Sequence, residues 1–283
     1  MNTKPFLLGA VAYDPKVVTI WEGFKAYFQQ NGLPFDYVLY SNYEQQVESH
    51  LAGHVHVAWN SPLAWVRAER LANAHGKRAE AIAMRDSDQN LTSVIVVRAD
   101  SPFYTVADLQ GEKVAVGAID SPQATLIPLS YLRANGATDL EVVRHDLLGG
   151  KHGDHIGGER EAARALMAGK VAAACMIDAN HLLFTNEGTL PAGATRILTQ
   201  TPAYDHCNFT IFSDAPQAQV NRFRELLLAM SYDDAEVRPL LDLEGLKVWK
   251  PGRTEFYRAL EIAVDEMKFY DEHGNITIAD YQY

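Results

Sequence analysis

Residues 53–62 read Gly-His-Val-His-Val-Ala-Trp-Asn-Ser-Pro, and this stretch decides the class of fold. His54–Trp59 is predicted to form a strand. Asn60-Ser61-Pro62 then begins a helix, because serine is a favoured N-cap and proline fits the first helical turn. Leu63–Ala74 continues that helix. A strand that passes directly into a helix is the repeating unit of a parallel sheet covered by helices.

The same alternation extends in both directions along the chain. Earlier strands are predicted at Phe6–Ala12 and Asp36–Tyr40, with helices at Val17–Gln30 and Tyr43–Ala52. Later, Ser93–Arg98 contains a Val-Ile-Val-Val run that suits a strand buried on both faces. A second α/β unit follows, with strands at Lys113–Gly117, Glu141–Arg144 and Val171–Ile177, and helices at Ala124–Ala134 and Glu159–Ala168. Phe209–Ser213 is predicted to be a returning strand, and helices at Gln217–Met230 and Thr254–Phe269 close the chain.

This order of elements predicts an α/β fold of two lobes, each a mostly parallel sheet flanked by helices. The chain crosses between the lobes near residues 93–99 and 204–210, so the first lobe is discontinuous. We expect lobe 1 to comprise residues 1–95 and 208–283, and lobe 2 to comprise residues 96–207. Ligands of open α/β sheets bind at the carboxyl ends of strands, so a ligand cleft is expected between the lobes.

Composition and charge limit the partners of the protein. The 283 residues carry a formal net charge of −11, which disfavours nucleic acid and anionic membranes as main partners. No stretch approaches the roughly 20 apolar residues of a membrane-spanning helix. The apolar run Phe6–Ala12 is short for a signal peptide and no small-residue cleavage site follows it, which favours a cytoplasmic protein. A periplasmic protein with a trimmed signal would look similar. Cys175 and Cys207 are too few for a disulfide framework.

Four stretches together resemble the phosphate/phosphonate solute-binding proteins of ABC importers. They are residues 53–62, Ser93–Arg98, residues 106–116 (Val-Ala-Asp-Leu-Gln-Gly-Glu-Lys-Val-Ala-Val) and residues 161–173 (Glu-Ala-Ala-Arg-Ala-Leu-Met-Ala-Gly-Lys-Val-Ala-Ala). The resemblance implies a type 2 periplasmic-binding fold. The family's hydroxyl-rich anion turn is replaced here by Asp120-Ser121-Pro122-Gln123-Ala124-Thr125-Leu126, and the loop at 148–158 looks longer than the usual Gly-Gly-Ser-His type of turn. Both departures favour an enzyme built on a binding-protein scaffold.

The glycine-rich segment 147–160 contains the residues that suggest metal chemistry. His152 and His155 are separated by two residues, and Glu159 lies four residues further on. Two imidazoles and a carboxylate are common ligands of a catalytic metal, and Glu159 also suits a general base. His206 and Cys207, at the second crossover, are candidates for a further metal ligand and for a nucleophile. The alternative is a surface loop with solvated histidines and an ordinary buried thiol.

Further residues at the predicted strand ends are candidates for ligand binding. The resemblance carries this role to Asp14, Asn60, Ser61, Ser121, Gln123 and Thr125. Helix N-termini at Ser61 and at 121–125 favour an anion, although simple capping explains Ser61 equally well. Arg85 is a candidate for clamping a carboxylate, with an ion pair as the alternative, and Asp178 is placed beside the ligand. His54 and His56 lie below the strand end, and we assign them structural roles.

These features together predict a metal-assisted hydrolytic enzyme that acts on a small, anionic, carboxylated heterocycle. Zinc or manganese would activate water, and Glu159, His155 and Cys207 would supply the catalytic groups. Among relatives of the scaffold, a desulfhydrase of a thioxo-imidazolidinone propionate, as in bacterial ergothioneine breakdown, fits this description. The alternative is a non-catalytic solute-binding protein for a small organic anion. We leave open whether the protein forms a homodimer.

Overall fold

The computed structural model describes residues 4–152 and 157–283, and their contacts divide the chain into two compact units. The first unit comprises Met1–Gln89, Asp205–Tyr257 and Tyr270–Ile276; the second comprises Asn90–Tyr204, Arg258–Phe269 and Thr277–Tyr283. Both units are discontinuous, whereas we expected residues 208–283 to lie wholly in lobe 1. The difference arises because the helix after Tyr257 packs on a helix of the second unit.

The first unit contains one sheet and five helices among the residues that the structure describes. Its strands are β1 (Phe6–Val11), β2 (Phe35–Tyr40), β3 (Val57–Asn60), β4 (Ala79–Arg85), β10 (Asn208–Phe212) and β11 (Trp249–Pro251). Its helices are α1 (Lys16–Gln30), α2 (Tyr43–Leu51), α3 (Pro62–Ala74), α7 (Gln217–Leu228) and α8 (Arg238–Glu244).

The sheet of the first unit has the order β2-β1-β3-β10-β4-β11. β1 runs parallel to β2 and β3, and β10 lies antiparallel between β3 and β4. Helix α1 buries Val17, Ile20, Trp21, Phe24 and Phe28, whose helical spacing places them on one face. That face joins Phe209, Phe223 and Trp249 in an aromatic core.

The second unit also contains one sheet, with helices on its faces. Its strands are β5 (Ser93–Arg98), β6 (Lys113–Val116), β7 (Glu141–Arg144), β8 (Ala173–Ile177) and β9 (Thr195–Gln200). Its helices are α4 (Ile127–Ala134), α5 (Gly157–Met167), α6 (Asp178–Asn186) and α9 (Arg258–Glu266). The strand order is β7-β6-β8-β5-β9, with β6 parallel to β7 and β8, and β5 antiparallel to β8 and β9.

Strand β5 shows how the second unit builds two core layers. Val94 and Val96 pack with α5 residues on one face, while Ile95 and Val97 pack with α4 residues on the other. Successive side chains of a strand point to opposite faces, so the Val-Ile-Val-Val run serves both layers. The start of α5 lies very close to the strand ends, since a Cβ at Gly158 would be 2.7 Å from the carbonyl oxygen of His145.

The α/β class and the two-sheet architecture predicted from the sequence are confirmed. In each sheet, a strand that follows a crossover of the chain from the other unit (β10 in the first sheet, β5 in the second) lies antiparallel between two strands that share a direction. Within the described residues, none of the helices has the length and apolar character needed to cross a bilayer.

Candidate functional site

In the second unit, the turn after β6 places its hydroxyl groups in internal hydrogen bonds. Ser121 Oγ accepts from the backbone N–H of Ala124 (3.2 Å), which caps the π-helical turn Pro122–Leu126 that leads into α4. Thr125 Oγ1 donates to the carbonyl oxygen of Ala118 (2.7 Å). Both side chains are buried. These hydroxyls, predicted to bind a ligand, therefore stabilise the turn itself.

Glu159 links three segments near the carboxyl ends of the strands: the turn Pro122–Leu126, strand β8 and helix α6. Its side chain is 1% exposed and accepts hydrogen bonds from Gln123 Nε2 (3.2 Å), Ile177 N–H (2.9 Å) and Asn180 Nδ2 (3.0 Å). Gly158 allows this close approach, because the first turn of α5 abuts the backbone at His145 and Gly117. The structure thus brings Glu159 and Gln123 together, as expected for residues that follow the carboxyl ends of strands in one sheet. Asn180, which we did not assign to the site, joins them.

The carboxylate of Asp120 binds backbone N–H groups of the glycine-rich loop. Its Oδ2 accepts from the backbone N–H groups of Gly150 (2.7 Å) and His152 (3.1 Å), and from Tyr281 Oη (3.4 Å). His152 is buried and has a positive φ of 54°. The alternative of a solvated His152 is therefore wrong. His155, assigned to both metal binding and catalysis, lies outside the described residues.

Asp178 also has internal partners in the second unit. Its Oδ2 accepts from Thr92 Oγ1 (2.8 Å), and its Oδ1 accepts from the N–H of Ala179 at the start of α6 (2.6 Å). Both contacts fix the connection between β8 and α6. A ligand role for Asp178 remains a prediction.

In the first unit, Asn60 belongs to a buried chain of hydrogen bonds at the end of β3. Its Oδ1 accepts from Gln46 Nε2 (2.8 Å), and its Nδ2 donates to Thr210 Oγ1 (2.9 Å). The chain continues from Thr210 to Asn208 (2.7 Å), from Asn208 to Tyr257 Oη (2.9 Å), and from Tyr257 to the carbonyl oxygen of His206 (2.6 Å). Asn60 therefore joins β3 to β10.

Two more predicted ligand residues of the first unit accept hydrogen bonds from backbone N–H groups at helix starts. Ser61 Oγ accepts from the N–H of Ala64 (3.1 Å) at the start of α3. Asp14 Oδ1 accepts from the N–H of Lys16 (2.8 Å) at the start of α1, and Asp14 is exposed. The capping alternative for Ser61 is confirmed.

Arg85 binds carboxylates, but they are those of Asp88 and Glu244 in the same chain. Its Nε and Nη2 bind the two oxygens of Asp88 (2.6 and 2.9 Å), and its Nη1 binds the carbonyl oxygen (2.8 Å) and Oε1 (3.3 Å) of Glu244. The guanidinium lies over the Trp59 ring at 5.2 Å. The ion-pair alternative is therefore confirmed, with the pair buried rather than at the surface: the side chains of Arg85 and Asp88 are 19% and 2% exposed.

The two buried acids around Arg85, Asp88 and Glu244, have pKa values that are shifted in opposite directions. Desolvation acts to raise the pKa of Asp88, but the charge and hydrogen bonds of Arg85 outweigh it, and the pKa lies well below its usual value. Desolvation raises the pKa of Glu244 to about 7, because Arg85 only partly offsets the burial of that carboxyl. Arg85 thus carries a charge that Asp88 largely neutralises.

His206 and Cys207 lie beside this ion pair. His206 Nδ1 is 3.1 Å from Cys207 Sγ and 3.6 Å from Asp88 Oδ1. Of the described residues, Asp88, His206 and Cys207 form the group whose ligand-type atoms lie within 4.8 Å of one another. This grouping shares His206 with the expected set of His152, His155 and His206, and it contains Asp88 and Cys207 in place of the other two.

The chemistry of this group suits neither a metal site nor a nucleophile. Both Asp88 oxygens accept hydrogen bonds from Arg85, whose positive charge repels a cation. Burial raises the pKa of the Cys207 thiol well above its usual value, so the reactive and metal-binding thiolate is disfavoured. The structure therefore does not support the nucleophilic role assigned to Cys207.

Comparison with solved structures shows the fold of the chain. PhnD1 from Prochlorococcus marinus (MIT 9301), in complex with methylphosphonate, is 16% identical with a TM-score of 0.66, covering 94% of this chain and 98% of that one. XAC2383 from Xanthomonas citri, bound to ATP, is 15% identical with a TM-score of 0.67, covering 93% and 96%. The periplasmic aliphatic sulphonate binding protein SsuA from Escherichia coli is 16% identical with a TM-score of 0.57, covering 95% and 94%. No curated protein matches the chain.

A family model described as "ABC transporter, phosphonate, periplasmic substrate-binding protein" matches residues 10–257. This match overturns our main functional expectation, because such proteins bind and deliver a solute rather than transform it. The prediction of a metal-binding hydrolase or desulfhydrase was wrong, and so was the cytoplasmic assignment. The error came from treating the histidines of the glycine-rich loop as a catalytic insertion. The chain belongs to the phosphonate-type periplasmic substrate-binding family of ABC transporters.

Proposed function

We propose that this protein is the solute-binding component of an ABC importer, that it works in the periplasm, and that it binds a small anionic solute without transforming it. The observation that carries the proposal is the family match, which extends over residues 10–257 and therefore covers most of both units. The chemistry of the strand ends agrees with binding rather than catalysis. Gln123 and Asn180 are buried and each donates a hydrogen bond to the buried carboxylate of Glu159, which favours a pre-formed polar site.

Four side chains that could act as nucleophiles are not activated in this structure, which also supports binding without turnover. Burial raises the pKa of both described cysteines, Cys175 and Cys207, so neither thiol is activated. Ser121 and Thr125 engage backbone groups instead of a general base. Of these four positions Cys207 does have a neighbouring base, His206 Nδ1 at 3.1 Å, but burial disfavours the thiolate that covalent catalysis requires.

A ligand screen tests the proposal directly. Thermal unfolding of the purified chain is measured with methylphosphonate, methanesulfonate and a set of short carboxylates. A ligand at about one hundred times its Kd stabilises the folded state by ~2.7 kcal/mol, which raises the Tm measurably. Isothermal titration then gives the stoichiometry, for which we expect one site per chain. Failure of every solute to stabilise the protein would contradict the proposal.

A second measurement separates binding from catalysis. Each solute that binds is incubated overnight with the protein, released by denaturation and identified by mass spectrometry. We expect quantitative recovery of the original compound. Product that accumulates in proportion to protein concentration would restore the enzyme hypothesis.

A further inference from the structure

Residues 148–152 of the glycine-rich loop have a strained backbone. Leu148 and His152 both have a φ of 54°, in the left-handed region that residues with a Cβ disfavour, and Gly150 between them has a φ of 79°. Residues other than glycine keep such a conformation only where surrounding contacts impose it. The conformation of this part of the loop therefore depends on contacts from outside the loop.

One of these contacts is shared with a segment that is distant in the sequence. Asp120 Oδ2 accepts from the backbone N–H groups of Gly150 (2.7 Å) and His152 (3.1 Å), and Tyr281 Oη donates to the same oxygen (3.4 Å). Asp120 follows β6 and the loop follows β7, and these two strands are parallel. Both therefore lie at the carboxyl edge of the sheet, where ligands of α/β folds bind.

The segment Thr277–Tyr283, which carries Tyr281, is fixed within the same unit. The N–H of Thr277 donates to the carbonyl oxygen of Phe269 (3.0 Å), just beyond helix α9. The rings of Tyr281 and Phe269 pack with centroids 5.0 Å apart, and Phe269 is fully buried. Tyr283 packs in turn on Tyr281, at 5.4 Å. The place of Tyr281 is therefore set by a buried aromatic side chain outside the loop.

Gly149 shows how closely this segment covers the loop. A Cβ at Gly149 would lie 2.6 Å from the carbonyl oxygen of Gln282, which is closer than van der Waals contact allows. Apart from its chain neighbours, the Gln282 carbonyl group supplies the only heavy atoms of the described residues within 4 Å of that position. Gly149 does not have a positive φ, so its backbone is compatible with alanine. What Gly149 provides is therefore room for the backbone of Gln282.

We infer that residues 281–283 form a strap that holds residues 149–152 of the glycine-rich loop in the conformation that receives the solute, with Tyr281 as a positioning residue. The strap acts through two contacts. The Tyr281 phenol joins the loop N–H groups on Asp120, and the Gln282 backbone covers Gly149. This inference rests on the proposed function and deepens it, because it assigns the order of one part of the site to a segment far away in the sequence.

Hydrogen exchange tests the strap without any solute. Deletion of residues 281–283 removes both contacts, so amide exchange over residues 147–152 should accelerate at least about tenfold. Tyr281→Phe keeps the aromatic packing and removes only the hydroxyl, so it should accelerate exchange less, by about threefold. Tyr104→Phe, at a tyrosine of the same unit that is 72% exposed, is the matched control and should change nothing. Unchanged exchange in the deletion variant would overturn the inference.

Gly149→Ala distinguishes the strap contact from a general loosening of the unit. In the full chain the added methyl group collides with Gln282, so exchange over residues 147–152 should accelerate about tenfold. In the chain without residues 281–283 that collision is absent, so the same substitution should add less than about twofold. Gly188→Ala, in another loop of the second unit where a Cβ meets no described atom within 4 Å, should not affect these residues in either chain. An equal effect of Gly149→Ala in both chains would contradict the inference.

Solute affinity connects the strap to binding. A solute that needs the ordered loop binds in proportion to the fraction of chains in which the loop is ordered. Titration calorimetry is carried out with methylphosphonate, methanesulfonate and the short carboxylates of the thermal screen. For a solute that binds, we expect the Kd to rise at least about threefold in the deletion variant and in Gly149→Ala, and to stay unchanged in Tyr104→Phe and Gly188→Ala.

The two readouts separate failure of the inference from failure of the proposed function. If exchange accelerates but the Kd of a bound solute stays the same, the strap does not serve the solute; the inference is then wrong and solute binding stands. If none of these compounds binds the unmodified protein, the proposed function fails and the inference fails with it.

Discussion

Acidification should destabilise the first unit through His50. This side chain is 2% exposed and stacks on Phe212, with ring centroids 4.1 Å apart. Desolvation lowers its pKa to about 3, while the nearby ion pair of Lys77 and Asp214 acts on it with opposite signs. In the unfolded chain its pKa is about 6.5, so the unfolded state binds the additional proton between these values. Stability is therefore present above about pH 6.5 and is lost as the pH falls towards 3.

The size of this effect follows from the two pKa values. One pKa unit corresponds to about 1.36 kcal/mol, so lowering the pH from about 7 to about 4.5 should cost ~2.5 kcal/mol through His50 alone. Urea unfolding is followed by tryptophan fluorescence, because Trp21, Trp59, Trp65 and Trp249 all lie in the first unit.

Comparison of variants isolates the contribution of His50. His50→Leu removes the titrating ring from its apolar site, so it should lose ~2.5 kcal/mol less than the unmodified protein over the same pH interval. His273→Leu makes the same change at a ring that is 62% exposed, and it should behave like the unmodified protein. If His50→Leu shows the same pH dependence as the unmodified protein, the argument from burial is refuted.

Three other substitutions test the contacts described above. Asp120→Asn removes the negative charge that holds the glycine-rich loop, so amide hydrogen exchange at residues 147–152 should accelerate about tenfold; unchanged protection would contradict this role. Arg85→Met leaves a buried aspartate unpaired and should cost about 3 kcal/mol in urea unfolding, whereas Arg222→Met at an exposed ion pair should cost less than about 0.5 kcal/mol. Tyr257→Phe interrupts the buried hydrogen-bond chain and should cost about 1 kcal/mol, with little effect expected if solvent replaces the lost phenol.

Much of the fold follows from local sequence patterns. Helix α1 and the step from β3 into α3 are predicted within a few residues, because their apolar spacing and the Ser61-Pro62 cap are local signals. Strand β4 was not predicted. Its sequence, Ala-Glu-Ala-Ile-Ala-Met-Arg, has low strand propensity, and it is formed by pairing with β10 and β11, which lie far along the chain.

The candidate site, like the fold, has a part that can be predicted from the sequence and a part that cannot. The meeting of Gln123 and Glu159 is predictable, since carboxyl ends of parallel strands gather at one edge of a sheet. That Ser121, Thr125 and Arg85 bind partners within the chain cannot be predicted, because it depends on which donor or acceptor lies nearest in three dimensions. Glu244, which completes the Arg85 cluster, comes from α8 and has no sequence signal that links it to β4.

The central claim is that the chain binds a small anionic solute and leaves it chemically unchanged. Proton NMR of each solute of the thermal screen, mixed with stoichiometric protein, tests this claim most directly. We expect the signals of at least one solute to shift or broaden on addition of the protein, and to return at full intensity after overnight incubation and removal of the protein. New product signals, or solute signals that the protein never perturbs, would contradict the account.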